Sequence, residues 1–201
     1  VNNKPWHVLN IDISNAIRPD FNFKELLVGT RVDTVGHWMW SYTGSELTDI
    51  FTIEWLSYMK SINLEVYTML MFYKAPFLTG EGANAHVDLP VNFAINWCVN
   101  KDDSEMVWYD NQSDVDYDTE TKLAPVGGYL YLPRPLDNLV ELERRCLGNI
   151  PTLVQTDIFH SIVVNESPRW SISVRVNVNG QLAGKLSWQE AVDLFSSHIV
   201  I

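Results

Sequence analysis

From about residue 85 to residue 178 the chain is a succession of short strand-like segments: HVDLPV, FAINWCV, EMVWYD, GGYLYLP, TLVQTDIF, HSIVVN and RWSISVRV. Each is rich in branched and aromatic residues and is closed by a polar or turn-forming piece such as Asn100 to Ser104 or Asn165 to Pro168. That alternation of short strands and turns at fairly regular intervals predicts a sandwich or jelly roll, and hence a mainly β protein with flanking helices. Asp137 to Cys146, DNLVELERRC, fits either a strand or a short helix, and periodicity does not separate the two.

Outside this block the pattern is mixed. In TGSELTDIFTIEWLSYMKSIN, Thr43 and Glu46 form a capping-box pattern. Leu47, Ile50, Phe51, Trp55, Met59 and Ile62 follow at helical spacing, which predicts one amphipathic helix. LEVYTMLMFYKA, closed by Pro76, reads as a buried strand, and Ser187 with Glu190 opens a short C-terminal helix, WQEAVDLFSSH. With 201 residues, 46% of them hydrophobic, and no repeat or Pro/Gly/Ser-rich linker, the chain is expected to close one core. It reads as a single domain, 1–201, with a mixed α/β layer over 1–84, a strand-rich core over 85–178 and a C-terminal helix over 179–201.

Charge narrows the partners. A formal net charge of −11 repels phosphate backbones and anionic membranes, so small molecules or proteins are the expected partners and nucleic acid is not. No apolar run is long enough for a membrane span, and VNNKPWHVLNIDIS lacks the basic-then-apolar layout of a signal peptide. Cys98 and Cys146 are too few for a disulfide framework and have no close partner for a zinc knuckle. Reduced, buried thiols in a cytoplasmic protein are the expectation. The oligomeric state is open at this level.

Several motifs fail on context. Gly80 to Ala85 fits GxGxxA, but a strand-like segment follows where the dinucleotide fingerprint needs a helix. Asp114, Asp116 and Asp118 imitate a calcium loop, yet Thr119 replaces the turn glycine and Pro125 the bidentate Glu. The sequons Asn111-Gln112-Ser113 and Asn165-Glu166-Ser167 carry little weight without secretion.

One constellation survives. In extended backbone His86 and Asp88 point to one face, so imidazole and carboxylate can converge on one ion. Such a pair is weak alone: five His and 25 acids in 201 residues give about half a match by chance. His160, on another candidate strand, completes two histidines and a carboxylate on a β scaffold, a facial set of ligands that leaves coordination positions open. On the next strand, alternation puts Arg169, Ser171, Ser173 and Arg175 on one face and Trp170, Ile172 and Val174 on the other. A guanidinium and a hydroxyl so placed suit a carboxylate. His7, His37 and His198 lie outside the pattern, and Trp38, Trp40, Trp97, Trp108 and Trp170 read as core.

His86-Val87-Asp88, His160 and Arg169-Trp170-Ser171 together resemble the HxD…H…RxS pattern of the iron(II)/2-oxoglutarate-dependent oxygenases, across roughly residues 85 to 178. The resemblance implies a double-stranded β-helix of jelly-roll, cupin-like type, with Fe(II) held by His86, Asp88 and His160. It implies that Arg169 with Ser171 binds the far carboxylate of 2-oxoglutarate. Arg175 competes for that role, because some members divide two arginines in an RxxxxxR arrangement between the cosubstrate and a ligand carboxylate. Asn96, Tyr129 and Tyr131 lie on strands that often face the cosubstrate in the family, and each fits core or surface equally well. The implied activity is that of a non-haem iron dioxygenase, hydroxylating a small-molecule or protein substrate with release of succinate and CO2, with no catalytic residue beyond the metal centre. Two other readings stand beside it. One is a cupin-like metalloenzyme that does not use 2-oxoglutarate, against which Arg169-Trp170-Ser171 speaks; the other is a non-catalytic β-sandwich module with a fortuitous triad.

Overall fold

The computed structural model describes residues 4–27, 37–75, 85–89, 91–100, 104–111, 122–123, 130–164, 168–178, 180–182 and 186–200. In chain order its strands are β1 Trp6–Val8, β2 His37–Thr43, β3 Leu64–Lys74, β4 Ala85–Leu89, β5 Phe93–Cys98, β6 Glu105–Asn111 and β7 Lys122–Leu123. They continue with β8 Leu130–Arg134, β9 Leu139–Cys146, β10 Thr152–Gln155, β11 His160–Val163, β12 Arg169–Val178 and β13 Gln181–Leu182. The helices are α1 Leu47–Ile50, α2 Ile53–Ser61 and α3 Trp188–Leu194. None of the described helices is long and apolar enough to cross a membrane.

The strands form two antiparallel sheets, a mainly β arrangement compatible with a sandwich. One runs β1-β10-β5-β12-β3-β2 with β13 beside β12, and the other runs β7-β8-β4-β11-β6-β9. From β3 to β6, and again from β9 to β12, consecutive strands alternate between the sheets. The first sheet draws β1, β2 and β3 from the N-terminal segment. The ambiguous stretch at Asp137 resolves as a 3-10 turn, Leu136–Asn138, followed by β9 on the edge of the second sheet. That edge position leaves Cys146 exposed, contrary to the buried thiol expected, whereas Cys98 on the central β5 is buried.

The expected single helix over Thr43 to Ile62 is broken. Glu46 does accept from the Thr43 N–H at 3.0 Å, but α1 stops after Ile50, and Phe51 is extended at φ −91°, ψ 148°. Phe51 bridges to Ile17, and Thr52 then starts a new helix, its Oγ1 accepting from Trp55 N–H at 3.1 Å. The same hydroxyl donates to Asn15 O and the Thr52 N–H to Ala16 O. Partners distant in sequence therefore outbid helix continuation for Phe51 and Thr52. The C-terminal capping box forms as expected, with Glu190 accepting from the Ser187 N–H at 2.8 Å and opening α3.

The largest apolar core lies on the outer face of the first sheet. Met69, Met71, Ile95, Trp97, Leu153, Ile172 and Val174 pack there against Phe51, Trp55 and Met59 of the helical layer and Phe195 beyond α3. A smaller cluster, Ala94, Cys98, Met106, Trp108 and Val154, fills part of the space between the sheets. Trp97 and Trp108 are core residues, as expected. Trp40 and Trp170 stack on each other at the margin of the larger cluster, partly buried. His7 stacks on Trp188, away from the candidate ligands.

Candidate metal centre

Both faces of β12 are buried, for different reasons. Ile172 and Val174 face the outer core, whereas Arg169, Ser171, Ser173 and Arg175, each no more than 5% exposed, lie on the opposite face. Two guanidinium groups placed between sheets need counter-charge or hydrogen-bond partners, because desolvating an ion costs several kcal/mol. Arg175 finds both: it donates to Asp88 Oδ2 at 3.0 Å and to Ser173 Oγ at 2.8 Å. A register shift next to Arg175 pairs it with Thr68 and the following Val176 with Val66, leaving Tyr67 as the bulged residue beside the guanidinium.

His86 and Asp88 lie on β4, two residues apart on one face, and His160 on β11 stands directly opposite His86 in register. The imidazole ring centres are 4.5 Å apart. Asp88 Oδ1 lies 3.4 Å from His86 Nε2 and 3.9 Å from His160 Nε2. One ligand atom from each residue falls within 4.8 Å of the other two. His160 and Asp88 are almost fully buried while the His86 side chain keeps 27% exposure, so His86 marks the side from which the centre is reached.

Three features of this chain suit the group to a cation. Asp88 Oδ1 is buried and accepts no hydrogen bond, although its other oxygen is held by Arg175. A bare buried carboxylate oxygen facing two imidazole nitrogens is costly unless a cation joins them. His160 Nδ1 lies 2.9 Å from the Ile158 carbonyl, which can only accept; the ring proton therefore sits on Nδ1, and the Nε2 lone pair faces Asp88. Burial, then the neighbouring His86, push the His160 imidazole down to about 4, so it is neutral at physiological pH as a metal ligand must be. Burial alone would raise the Asp88 carboxyl, but His86, His160 and Arg175 outweigh it and hold the group well below the usual carboxylate range.

The structure thus brings His86, Asp88, His160 and Arg175 into one cluster and places Arg169 and Ser171 further along the same face of β12. Asn96 lies beside Ser173 in register on β5, and its buried Oδ1 accepts no hydrogen bond. The β8 backbone places Tyr131 opposite Asp88. Tyr129, Asp114 to Asp118, Gln112-Ser113 and Asn165-Glu166-Ser167 lie outside the described residues, as do Gly80 to Asn84, although Ala85 does open a strand and not a helix.

Sequence reasoning missed Lys74. It ends β3 directly opposite Arg169, and its Nζ donates to the Ile162 carbonyl of β11 at 2.6 Å. Its only sequence signal is a lysine closing a mostly apolar run, LEVYTMLMFYK. Comparison with protein-family models and with curated proteins returned no match to this chain.

Proposed function

We propose that this chain is an Fe(II)- and 2-oxoglutarate-dependent oxygenase acting on a small-molecule or protein substrate. The observation that carries the reading is the convergence of His86, Asp88 and His160, with one bare carboxylate oxygen, opposite a strand whose inward face holds Arg169 and Ser171. Two imidazoles and a carboxylate on one side of an ion leave adjacent positions for a bidentate ligand and dioxygen. When bound, the metal would supply the oxidative chemistry that couples conversion of 2-oxoglutarate to succinate and CO2 to hydroxylation.

The protein's own share follows from its residues. Arg175 orients Asp88 through one oxygen and leaves the other turned toward the imidazoles. Ser173 holds that guanidinium in place. Arg169 and Ser171 offer a charge-assisted fork and a hydroxyl for a ligand carboxylate. Of the two arginines, Arg175 is thereby assigned to the ligand carboxylate and Arg169 to the cosubstrate. The strand order supports a double-stranded β-helix, because β3-β12-β5-β10 and β4-β11-β6-β9 form two four-stranded faces linked by alternating strands.

The test is anaerobic. Wild-type protein with Fe(II) is expected to give a weak visible charge-transfer band on adding 2-oxoglutarate, and His86→Ala to lose it. A folded wild-type protein that binds Fe(II) without that band would favour a cupin-like metalloenzyme. One that binds no metal would favour a non-catalytic sandwich.

A further inference from the structure

We propose that β2 is the acceptor edge for an extended, cationic segment of a partner protein, which joins the first sheet as a further antiparallel strand. The inference lies outside the metal chemistry, since it needs neither Fe(II) nor 2-oxoglutarate.

Of the end strands described, β1, β7 and β9 are protected. β1 is three residues long, and the C-terminal segment covers its outer side: Val200 N–H donates to Val8 O at 2.9 Å and Asn10 N–H to His198 O at 2.6 Å. β7 has two residues. β9 is long, but it carries Glu141, Glu143, Arg144 and Arg145 and bulges at Leu142. Shortness, charge and bulges are the devices that keep a sheet edge from pairing with another chain. β2 has none of them. HWMWSYT is seven residues long without Asp, Glu, Lys, Arg or Pro, and its register with β3 runs unbroken from His37 to Thr43.

The hydrogen-bonding phase of β2 follows from β12. Trp170 turns both its backbone groups toward the β5 side, its N–H donating to Asn100 Oδ1 at 2.8 Å and its carbonyl accepting from Val99 N–H at 2.9 Å. Alternation carried across β3 then bonds Trp38, Trp40 and Tyr42 to β3 and points the N–H and C=O of His37, Met39 and Ser41 away from it. Thr43 agrees, since its N–H leaves the sheet for Glu46. Among the described residues no backbone hydrogen bond reaches that outer row. An added strand completes it and sets side chains beside Trp38, Trp40 and Tyr42, where cross-strand aromatic pairs are favourable.

Charge selects the occupant. The chain carries −11, and the Thr43 end of the strand runs into exposed Glu46 and Asp49. Burial, then these two carboxylates, push the Tyr42 phenol up. Asp49 also shares a surface hollow with Asp20 and Glu25, where Arg18 is already paired with Asp20 at 2.7 Å. A segment bearing lysine or arginine meets this end with opposite charge, whereas a second copy of the chain brings a further −11.

The probe is an acetylated peptide in which threonine and tyrosine alternate between lysines at both ends, titrated by calorimetry into the full chain without added metal. It is expected to bind, and to bind about tenfold more tightly than the same peptide with glutamates for lysines. Glu46→Gln with Asp49→Asn, in which glutamine keeps an acceptor for the Thr43 N–H, should weaken the lysine peptide about fivefold. With the tyrosines beside the aromatic row, the threonine amides face β2. N-methylation of the threonines should therefore abolish binding, and N-methylation of the tyrosines should change it by about threefold or less. Equal effects, the reverse pattern, or no binding of the lysine peptide overturns the proposal. Ser41→Pro removes an outward N–H without touching the ladder to β3 and should weaken binding about tenfold; the methylated peptides decide the matter on wild type whether or not this variant folds. Sedimentation of wild type tests the occupant: a dimer that Ser41→Pro disperses assigns the edge to a second copy and overturns the partner proposal. Absence of the 2-oxoglutarate band overturns the oxygenase reading and leaves this edge as it stands.

Discussion

Asp88 is the residue whose environment is most specified. One oxygen is held by Arg175 in a pair that is almost wholly buried; the other is bare and faces two imidazoles. The contrast with Arg144 shows what burial changes. Arg144 pairs with Glu105 and Glu141, each at 2.7 Å, but its side chain is 42% exposed, and such surface pairs contribute about 0–1 kcal/mol. Removing Arg175 instead leaves a buried carboxylate with less counter-charge. Arg175→Met is expected to lower unfolding free energy by about 3 kcal/mol or more and to weaken Mn(II) binding, read by urea denaturation and by titration of the metal. A variant as stable as wild type would mean that the pair does not support the fold. In the sequence, period-two alternation puts both arginines on one face, and only the spacing from His160 favours Arg169 as the cosubstrate anchor. The contact of Arg175 with Asp88 comes from β4, far away in the chain.

At the level of elements, the strands were legible and one helix was not. β12 shows its organisation openly, since polar and apolar residues alternate along RWSISV and the two faces meet different surroundings. The capping box at Ser187 is equally local and forms as read. The break at Phe51 is not local: it depends on Asn15, Ala16 and Ile17, which no window around residue 51 contains. Thr52→Ala removes the cap of α2 and is expected to cost about 1 kcal/mol in chemical denaturation. Mn(II) affinity should be unaltered, because α2 packs behind the first sheet and not between the sheets; a fall in metal affinity would contradict that placement. Lys74 was illegible for a related reason, since its hydrogen bond to Ile162 joins it to a strand 88 residues further on and not to its own segment.

For the whole molecule the centre sets a response to acid. The His160 imidazole is pushed down to about 4 from an ordinary value of 6.5, so between those limits the unfolded chain binds a proton that the folded chain refuses. Stability is therefore fully present above pH 6.5 and declines as pH falls toward 4. Asp88, held below the ordinary carboxylate value of 3.8, adds a further loss below that point. Thermal melting of metal-free protein should move to lower temperature from pH 7 to pH 5, and His160→Gln should flatten that dependence; an unchanged slope in the variant would assign it elsewhere. The placement of the main apolar core has a different consequence. Because the first sheet is held chiefly from behind, by Trp55, Met59, Phe51 and Phe195 against Ile95, Ile172 and Val174, the residues lining its inward side are not its principal adhesive. Ser171 and Asn96 can thus be exchanged for side chains of other shape and charge on an architecture that persists, making this inner wall the part of the fold where a binding surface is most readily altered.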